Sequence, residues 1–216
     1  MTDLIVYLKN PVAGDVKTRL QSRYTQEQAA LLYRAFIRDT FERVQSVEAD
    51  RYFAAYTPAG SEGDIGELVP PGWILTPQVG ADLGARMLAS LRSSITSGAE
   101  KVILIGTDIP SLPKSHITSA IVRLEDSDIV LGPTMDGGFY LIGTRITLPE
   151  IFPDVAWSTN KVFEQTAAGV RSNSLSLSLI PPWSDIDTPE DLDGAMARAA
   201  PQNLSHTRSV LENLGR

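Results

Sequence analysis

The sequence predicts an α/β protein with three layers, in which helices cover both faces of a mostly parallel β-sheet. Continuous apolar runs at residues 4–8 and 102–105 are typical of strands that are covered on both sides. Between such runs, apolar residues recur at helical spacing, as at Leu32, Phe36 and Val44. Strands that alternate with helices favour a parallel sheet. The length of 216 residues suits a single domain over residues 1–200, followed by a helical tail over residues 201–216.

The composition narrows the class of protein. Lys and Arg number 19 against 26 Asp and Glu, and the net charge of −7 argues against a surface that coats nucleic acid. The lack of cysteine excludes disulfides, thiol catalysis and cysteine-ligated metals. No basic leader precedes the first apolar run, and no run approaches the roughly 18 residues that span a bilayer. We therefore expect a cytoplasmic protein with no membrane span and no nucleic-acid partner.

Short apolar runs between turn-forming residues predict the strands. The run at residues 175–179 alternates leucine with serine, which is typical of a strand with one dry face. The runs at residues 129–131 and 139–142 flank a glycine-rich turn and predict a late hairpin. In chain order, the predicted strands are residues 4–8, 52–56, 73–75, 102–105, 129–131, 139–142 and 175–179.

Capping residues mark the starts of the helices. Thr25 with Gln28 makes a capping box, and Asp82 can cap another helix. Ser158 is expected to cap a helix that Gly169 ends. The predicted helices are residues 25–47, 82–98, 113–124 and 158–168, one that begins at residue 188, and a short one in the tail after residue 201.

The loop after the first strand, residues 9–20, carries three cations. In open α/β sheets, ligands bind beyond the carboxyl ends of the strands, where this loop lies. Gly14 would let the backbone approach an oxyanion. Lys17 offers phosphate a point charge and Arg19 a planar fork, and Lys9 could add a third cation. The alternative is a solvated basic turn, but the position after the first strand favours anion binding.

Aspartates follow the central strand and precede the last predicted helix of the domain. Asp108 comes just after the run at residues 102–105, where it is either a turn former or a ligand for Mg²⁺ or Mn²⁺. Asp185 and Asp187 lie on one side of an extended segment, before a helix that Thr188 can already cap. A metal shared with Asp108 requires the two segments to meet in space.

Two further segments have both a structural and a functional interpretation. The sequence Asp136, Gly137 and Gly138 signals a turn, and its glycines could equally let a substrate lie against the backbone. Trp157 and Ser158 could form a substrate wall, although a core tryptophan beside a capped helix is commoner.

A third segment surrounds the helix start at Asp82, with Gln78 before it and Gly84 and Arg86 after it. Helix amino termini bind anions, but they disfavour a cation in the first turn. Arg86 therefore either reaches a substrate anion or pairs with Asp82, and we expect the pairing.

Taken in order, these segments resemble the bacterial transferases of glycosyltransferase-A fold known as radical-SAM/selenodomain-associated transferases, in the nucleotide-diphospho-sugar transferase superfamily. They are more distantly similar to 2-phospho-lactate guanylyltransferase and the molybdenum-cofactor guanylyltransferases. The likeness spans residues 4–196. It rests on Lys-Thr-Arg-Leu at 17–20, Asp-Leu-Gly-Ala-Arg-Met at 82–87, Gly-Thr-Asp-Ile-Pro at 106–110, Asp-Gly-Gly-Phe-Tyr-Leu-Ile-Gly at 136–143, Trp-Ser-Thr at 157–159 and Asp-Ile-Asp-Thr-Pro-Glu-Asp-Leu at 185–192.

The resemblance implies a bound nucleotide and a divalent metal, and we expect Mg²⁺ or Mn²⁺, a nucleotide or nucleotide-sugar donor and a small-molecule acceptor. It assigns nucleotide binding to Lys9, Gly14, Lys17, Arg19, Gln78, Gly84 and Arg86. It assigns the metal to Asp108, Asp185 and Asp187, and catalysis to Lys17, Asp108 and Asp187. The expected acceptor side is Asp136, Gly137, Gly138, Trp157 and Ser158.

The sequence departs from the family pattern at two places, and both bear on the choice between candidate activities. Pro110 stands two residues after Asp108, where the usual Asp-x-Asp signature has its second acid, and this weakens a standard sugar-transfer assignment. Only Gly14 remains of a glycine-rich nucleotide loop, which leaves the base open. Nucleotidyl transfer to a small phosphate or carboxylate acceptor ranks first, because Lys and Arg cluster in the first loop. Sugar transfer from a nucleotide-diphospho-sugar follows it, and a non-catalytic nucleotide-binding module comes third.

Overall fold

A seven-stranded β-sheet runs through the centre of the protein, in a computed structural model that describes residues 1–200 and 203–215. The strand order is β3-β2-β1-β4-β6-β5-β7, and only β6 runs antiparallel to its neighbours. This confirms the predicted mostly parallel sheet with a late hairpin. The strands are β1 (Thr2–Lys9), β2 (Arg51–Thr57), β3 (Ile74–Pro77), β4 (Lys101–Gly106), β5 (Ile129–Pro133), β6 (Phe139–Thr144) and β7 (Leu177–Leu179).

Seven α-helices and one short 3-10 helix, Thr18–Ser22, are found in the described residues. The predicted capping box is present, since Thr25 accepts from the backbone of Gln28 and the Gln28 side chain accepts in return. Asp82 caps its helix through the backbone N–H of Ala85. The helices are α1 (Gln26–Val44), α2 (Glu62–Gly66), α3 (Leu83–Thr96), α4 (Lys114–Arg123), α5 (Val162–Ser172), α6 (Pro189–Arg198) and α7 (Ser205–Asn213).

The central strands bury side chains on both faces, which explains their unbroken apolar runs. In β1, Leu4 and Val6 pack into one hydrophobic cluster while Ile5 and Tyr7 pack into the other. The first cluster includes residues of α1, α4 and α6, and the second includes residues of α3 and α5. The predicted three-layer arrangement is therefore confirmed.

The sheet order creates a crevice between β1 and β4. From β1 the chain proceeds to β2 and β3 on one side, then returns to β4 on the other side of β1. Ligands of open α/β sheets bind where the strand order reverses in this way, at the carboxyl ends of the strands. Lys9 is the last residue of β1 and Gly106 is the last residue of β4. The first loop therefore starts at this crevice, and Asp108 lies beside it.

The prediction for α5 was wrong at both ends. The helix begins at Val162, and Ser158 lies four residues earlier with a positive φ of 63° and does not cap it. Gly169 lies inside α5, where a Cβ would collide with the carbonyl oxygen of Ile151. The glycine therefore allows a close approach of two backbones, and the helix continues to Ser172.

The predicted tail helix is present as α7, which packs against α1. Asp39 of α1 is buried and accepts from the backbone N–H groups of His206 and Thr207, in the first turn of α7. Residues 201–202, at the expected boundary of the tail, lie outside the described residues. No helix within the described residues is long and apolar enough to cross a membrane.

Candidate active site

A cleft of about 700 Å³ lies over the carboxyl ends of β1 and β4. Its floor includes Leu8 from β1 and Leu104 and Gly106 from β4. Most of the side chains expected to act in the site reach its wall. They are Lys9, Arg19, Gln78, Arg86, Asp108, Asp136, Trp157, Ser158, Asp185 and Asp187, together with the backbone of Gly138. A smaller recess beside the cleft is lined by Lys17.

Lys17 is held between two carboxylates beside the cleft. Its Nζ lies 2.6 Å from Oδ1 of Asp108 and 3.0 Å from Oδ1 of Asp187. It also donates to the carbonyl oxygen of Ile186 at 2.7 Å. Burial would lower the pKa of Lys17, but the charges of Asp108 and Asp187 outweigh it and raise the pKa. With only 4% of its side chain exposed, Lys17 is not part of a solvated turn.

Asp108 and Asp187 meet because their segments are joined through the backbone. Ile186, buried between Asp185 and Asp187, donates its N–H to the carbonyl oxygen of Asp108 at 2.8 Å. Thr188 then caps α6, as predicted, with Asp191 completing a capping box. The spatial condition for a shared metal is therefore met.

Lys9 and Arg19 present cations at the rim of the cleft. The Arg19 side chain is 67% exposed, and its NH1 lies 3.2 Å from Oδ2 of Asp187. The Nζ of Lys9 donates to the carbonyl oxygen of Asp15 at 2.8 Å, which folds the loop back on itself. Both residues remain accessible to an anion in the cleft.

Asp185 is the most perturbed carboxyl group of the site. Burial raises its pKa to about 6, and the negative charges of Asp187 and Asp136 add to the increase. Its own backbone N–H and the charge of Lys17 oppose the shift. The group thus lies where negative charge is already concentrated.

The start of α3 differs from the expectation in two respects. The predicted ion pair of Arg86 with Asp82 is wrong, since Nε of Arg86 donates to the carbonyl oxygen of Gly80 at 3.2 Å. The Asp82 carboxylate is instead occupied by the helix cap. Gly84 lies off the cleft wall, where a Cβ would crowd Trp157. Gln78 does reach the wall, and its amide donates to the carbonyl oxygen of Ala55 at 2.9 Å.

The residues at 134–138 form the expected turn. The Asp136 carboxylate accepts from Gly138 N at 3.1 Å and from the hydroxyl of Thr134. Gly137 has a φ of 92°, and a Cβ there would collide with the carbonyl oxygen of Asn160. Contact with this chain's own backbone therefore accounts for Gly137. Gly14 also has a positive φ, of 88°, and lies outside the residues that line the cleft.

The sequence did not predict that the hydroxyl groups of two tyrosines, Tyr7 and Tyr33, would lie at the cleft. The Tyr33 hydroxyl lies 2.8 Å from Oγ1 of Thr107 and accepts from the backbone N–H of Lys9. The Tyr7 hydroxyl donates to the carbonyl oxygen of Arg86 and lies 2.7 Å from Oγ of Ser90. Burial raises the pKa of both tyrosines to about 12, so they act as neutral groups. One feature of the sequence could have predicted these contacts: each tyrosine lies on a face expected to be buried, and a buried tyrosine hydroxyl needs a polar partner.

Asp108 and Asp187 could hold a divalent cation in place of the Lys17 ammonium. The Oδ1 atoms of Asp108 and Asp187 already surround one positive charge, and Mg²⁺ typically takes one or two carboxylates together with substrate phosphates. A group of three possible metal ligands, Asp39, Glu42 and His206, lies outside the cleft, where α7 packs against α1. The Asp39 carboxylate there already caps α7.

Solved structures of other proteins share this architecture. A protein of Desulfovibrio desulfuricans G20 described as a "putative nucleotide-diphospho-sugar transferase" superposes with a TM-score of 0.90 at 29% identity, over 98% of this chain and 94% of that one. The 4-diphosphocytidyl-2C-methyl-D-erythritol synthase of Anaerococcus prevotii DSM 20548 has a TM-score of 0.61 at 11% identity, over 91% and 95%. The manganese complex of Rv0371C from Mycobacterium tuberculosis H37Rv has a TM-score of 0.51 at 15% identity, over 91% and 97%. The last two likenesses concern the fold.

The sheet order and the charged cleft at its carboxyl edge define a protein of the nucleotide-diphospho-sugar transferase fold. Within this class, the chain belongs to the family described as "Uncharacterized protein conserved in bacteria (DUF2064)", whose profile matches residues 40–159. No curated protein matches the chain. The fold class and superfamily expected from the sequence are confirmed.

Proposed function

We propose that the protein is a metal-dependent transferase whose donor is a nucleoside triphosphate or a nucleotide sugar. The observation that carries this proposal is the pair of Asp108 and Asp187 carboxylates around one positive charge, at the strand-order reversal of the sheet. Donor phosphates would bind Lys9 and Arg19 at the rim. Mg²⁺ or Mn²⁺ held by Asp108 and Asp187 would neutralise phosphate charge when bound.

Nucleotidyl transfer is the first candidate reaction. An oxygen of the acceptor attacks the α-phosphorus of the triphosphate, the bond from that phosphorus to the β-phosphate bridge oxygen breaks, and pyrophosphate leaves. Lys9 and Arg19 would stabilise the charge that develops on the phosphate oxygens, and any proton on the acceptor passes to water. Such catalysis rests on positioning and charge, so it requires no covalent enzyme intermediate.

Sugar transfer is the second candidate, and one wall of the cleft favours it. This wall carries the Asp136 and Asp185 carboxylates, the hydroxyls of Ser158 and Thr159, and the Trp157 ring. Carboxylates accept hydrogen bonds from sugar hydroxyls and repel phosphates, and an indole can pack against a sugar ring. Under this reaction the anomeric carbon is transferred and a nucleoside diphosphate leaves. The same wall disfavours a second phosphate or carboxylate there, in contrast to the acceptor expected from the sequence.

A thermal-shift screen tests the proposal. Nucleoside triphosphates and nucleotide sugars are added with and without Mg²⁺, and a ligand at about 100 times its dissociation constant stabilises by about 2.7 kcal/mol. We expect at least one donor to raise the melting temperature more with Mg²⁺ than without it. The selected donor is then incubated with candidate acceptors, since pyrophosphate release marks nucleotidyl transfer and nucleoside diphosphate release marks sugar transfer.

The screen also separates the enzyme from a non-catalytic binding module. A module would bind a nucleotide equally well in metal-free buffer and would release neither product with any donor. If no donor stabilises the protein with or without Mg²⁺, the proposal of a nucleotide-dependent transferase is wrong.

A further inference from the structure

The ammonium of Lys17 has all of its hydrogen-bonding capacity used within the protein. Its three protons face three oxygens, from the Asp108 carboxylate, the Asp187 carboxylate and the Ile186 carbonyl, at 2.6 to 3.0 Å. The ring of Phe36 lies below it, with its centroid 5.8 Å from Nζ. Lys17 therefore has no proton left for a phosphate in the arrangement described.

The backbone at Lys17 supports a defined position for this side chain. Its φ of 46° and ψ of 45° lie in the left-handed region, which is strained for a residue with a Cβ atom. The next residues form the 3-10 helix Thr18–Ser22, and Leu20 within it is fully buried. The strained turn thus carries the Lys17 side chain into the recess and directs it towards Asp108 and Asp187.

A divalent metal and the Lys17 ammonium compete for the same two atoms. Mg²⁺ binds oxygen at about 2.1 Å, so an ion shared by Oδ1 of Asp108 and Oδ1 of Asp187 would lie within the space that Nζ fills. Two cations so close together repel each other strongly, because the burial of Lys17 reduces the screening by water. The metal can therefore enter only when Lys17 leaves, and bound phosphates offer the ammonium a new partner.

We propose that the Lys17 ammonium occupies the metal site of the free protein and makes metal binding depend on the nucleotide. This inference rests on the proposed function, because it takes Asp108 and Asp187 as the metal ligands. Nucleotide phosphates draw Lys17 away from the carboxylates and open the site to the metal. By linkage, the metal in turn strengthens nucleotide binding by the same factor.

The test uses Mn²⁺ alone, without any nucleotide, and counts free Mn²⁺ by electron paramagnetic resonance. Lys17→Met removes the competing charge while keeping an unbranched side chain. We expect this variant to bind one Mn²⁺ per chain at least tenfold more tightly than the wild type. The control is Lys101→Met, which removes one cation at the amino end of β4, away from the cleft, where Lys101 pairs with Glu125. This variant should bind Mn²⁺ as the wild type does.

Further variants keep the result decisive. Lys17→Met combined with Asp108→Asn should lose the gain, which assigns the tighter site and distinguishes it from Asp39, Glu42 and His206. If Lys17→Met fails to fold, Lys17→Gln keeps a donor and removes the charge, and the same gain is expected.

Two results would overturn the inference. One is equal Mn²⁺ affinity of the wild type and the Lys17 variant, and the other is a gain that survives Asp108→Asn. Because the nucleotide screen does not enter this comparison, the inference can fail while the transferase proposal stands. A screen with no stabilising donor would defeat the transferase proposal whatever the Mn²⁺ result.

Discussion

The backbone N–H of Ile186 donates to the carbonyl oxygen of Asp108 across 2.8 Å, and this bond joins the end of β4 to the segment before α6. It places Asp187 beside Asp108 without help from either side chain. Ile186 is buried, so its two neighbours in an extended segment project together towards the cleft. A change of either carboxylate therefore leaves this backbone bond in place.

Replacement of Asp108 or Asp187 by asparagine should reduce metal-dependent nucleotide binding at least tenfold. Each change removes a negative charge that the cation requires and keeps the size of the side chain. Titration calorimetry with the donor chosen by the screen, with and without Mg²⁺, measures the effect. Asp126→Asn, an exposed change in the turn after α4, is the matched control and should bind as the wild type does. Wild-type affinity in both site variants would remove Asp108 and Asp187 from the proposed metal site.

Arg19→Met should weaken nucleotide binding about tenfold and leave stability nearly unchanged. The side chain is 67% exposed, and an exposed ion pair such as that with Asp187 typically contributes less than about 1 kcal/mol. A lost phosphate contact also reduces the dependence of affinity on salt, which calorimetry at two ionic strengths detects. The control is Arg38→Met, on an exposed position of α1. Equal salt dependence in the Arg19 variant and the wild type would contradict phosphate binding by this residue.

Gly137→Ala should destabilise the fold much more than Gly60→Ala. Both glycines have a φ near 90°, so both changes carry a left-handed penalty of roughly 1–2 kcal/mol. At Gly60 a Cβ meets no atom within 4 Å, whereas at Gly137 it collides with the backbone of Asn160. We expect an additional loss of at least about 2 kcal/mol for Gly137→Ala, measured by urea unfolding. Similar losses at the two positions would mean that the turn does not rest against Asn160.

The stability contribution of Asp128 should depend on pH. The hydroxyl and the backbone N–H of Ser176 donate to its carboxylate, and these bonds, with Arg145, lower the pKa of Asp128. A lowered folded pKa gives stability that is complete above the unfolded value of about 4 and is lost as the pH falls through the folded value.

Asp128→Asn should therefore cost about 1–2 kcal/mol at pH 7 and much less near pH 2. Urea unfolding of the wild type and the variant across this range gives the difference. Asp126→Asn, two residues earlier and exposed, should show no such trend. A cost for Asp128→Asn that stays constant with pH would show that the carboxylate charge contributes nothing.

Local signals predicted most of the fold. The capping box of Thr25 with Gln28 and the apolar runs of β1 and β4 are decided by neighbours in the sequence, and the structure has them where expected. The prediction at Gly169 was wrong because a glycine that ends a helix cannot be distinguished in a sequence from a glycine that allows a second backbone to pack closely. Ile151, the residue that distinguishes them, is brought there by tertiary packing.

The sequence allowed us to predict which residues form the candidate site. It did not allow us to predict which of them contact each other. The sequence indicated the acids and cations because carboxylates after buried strands and basic loops are unusual enough to notice. It gave no sign that Lys17 lies 2.6 Å from Asp108, since that contact joins residues 91 positions apart and depends on the order of β1 and β4. Arg86 similarly donates to the Gly80 carbonyl and not to Asp82, which caps α3, and the helical spacing of the two residues did not reveal this.

The reversed direction of β6 has a consequence for how relatives of this protein can diverge. Because β6 starts at the cleft edge, the turn at residues 134–138 overhangs the site from a hairpin, while residues 9–20 reach it from β1. Each wall is therefore encoded by its own stretch of chain on a shared scaffold. Insertions or exchanges in the hairpin can therefore reshape one wall of the cleft during evolution while residues 9–20 keep the charges of the other.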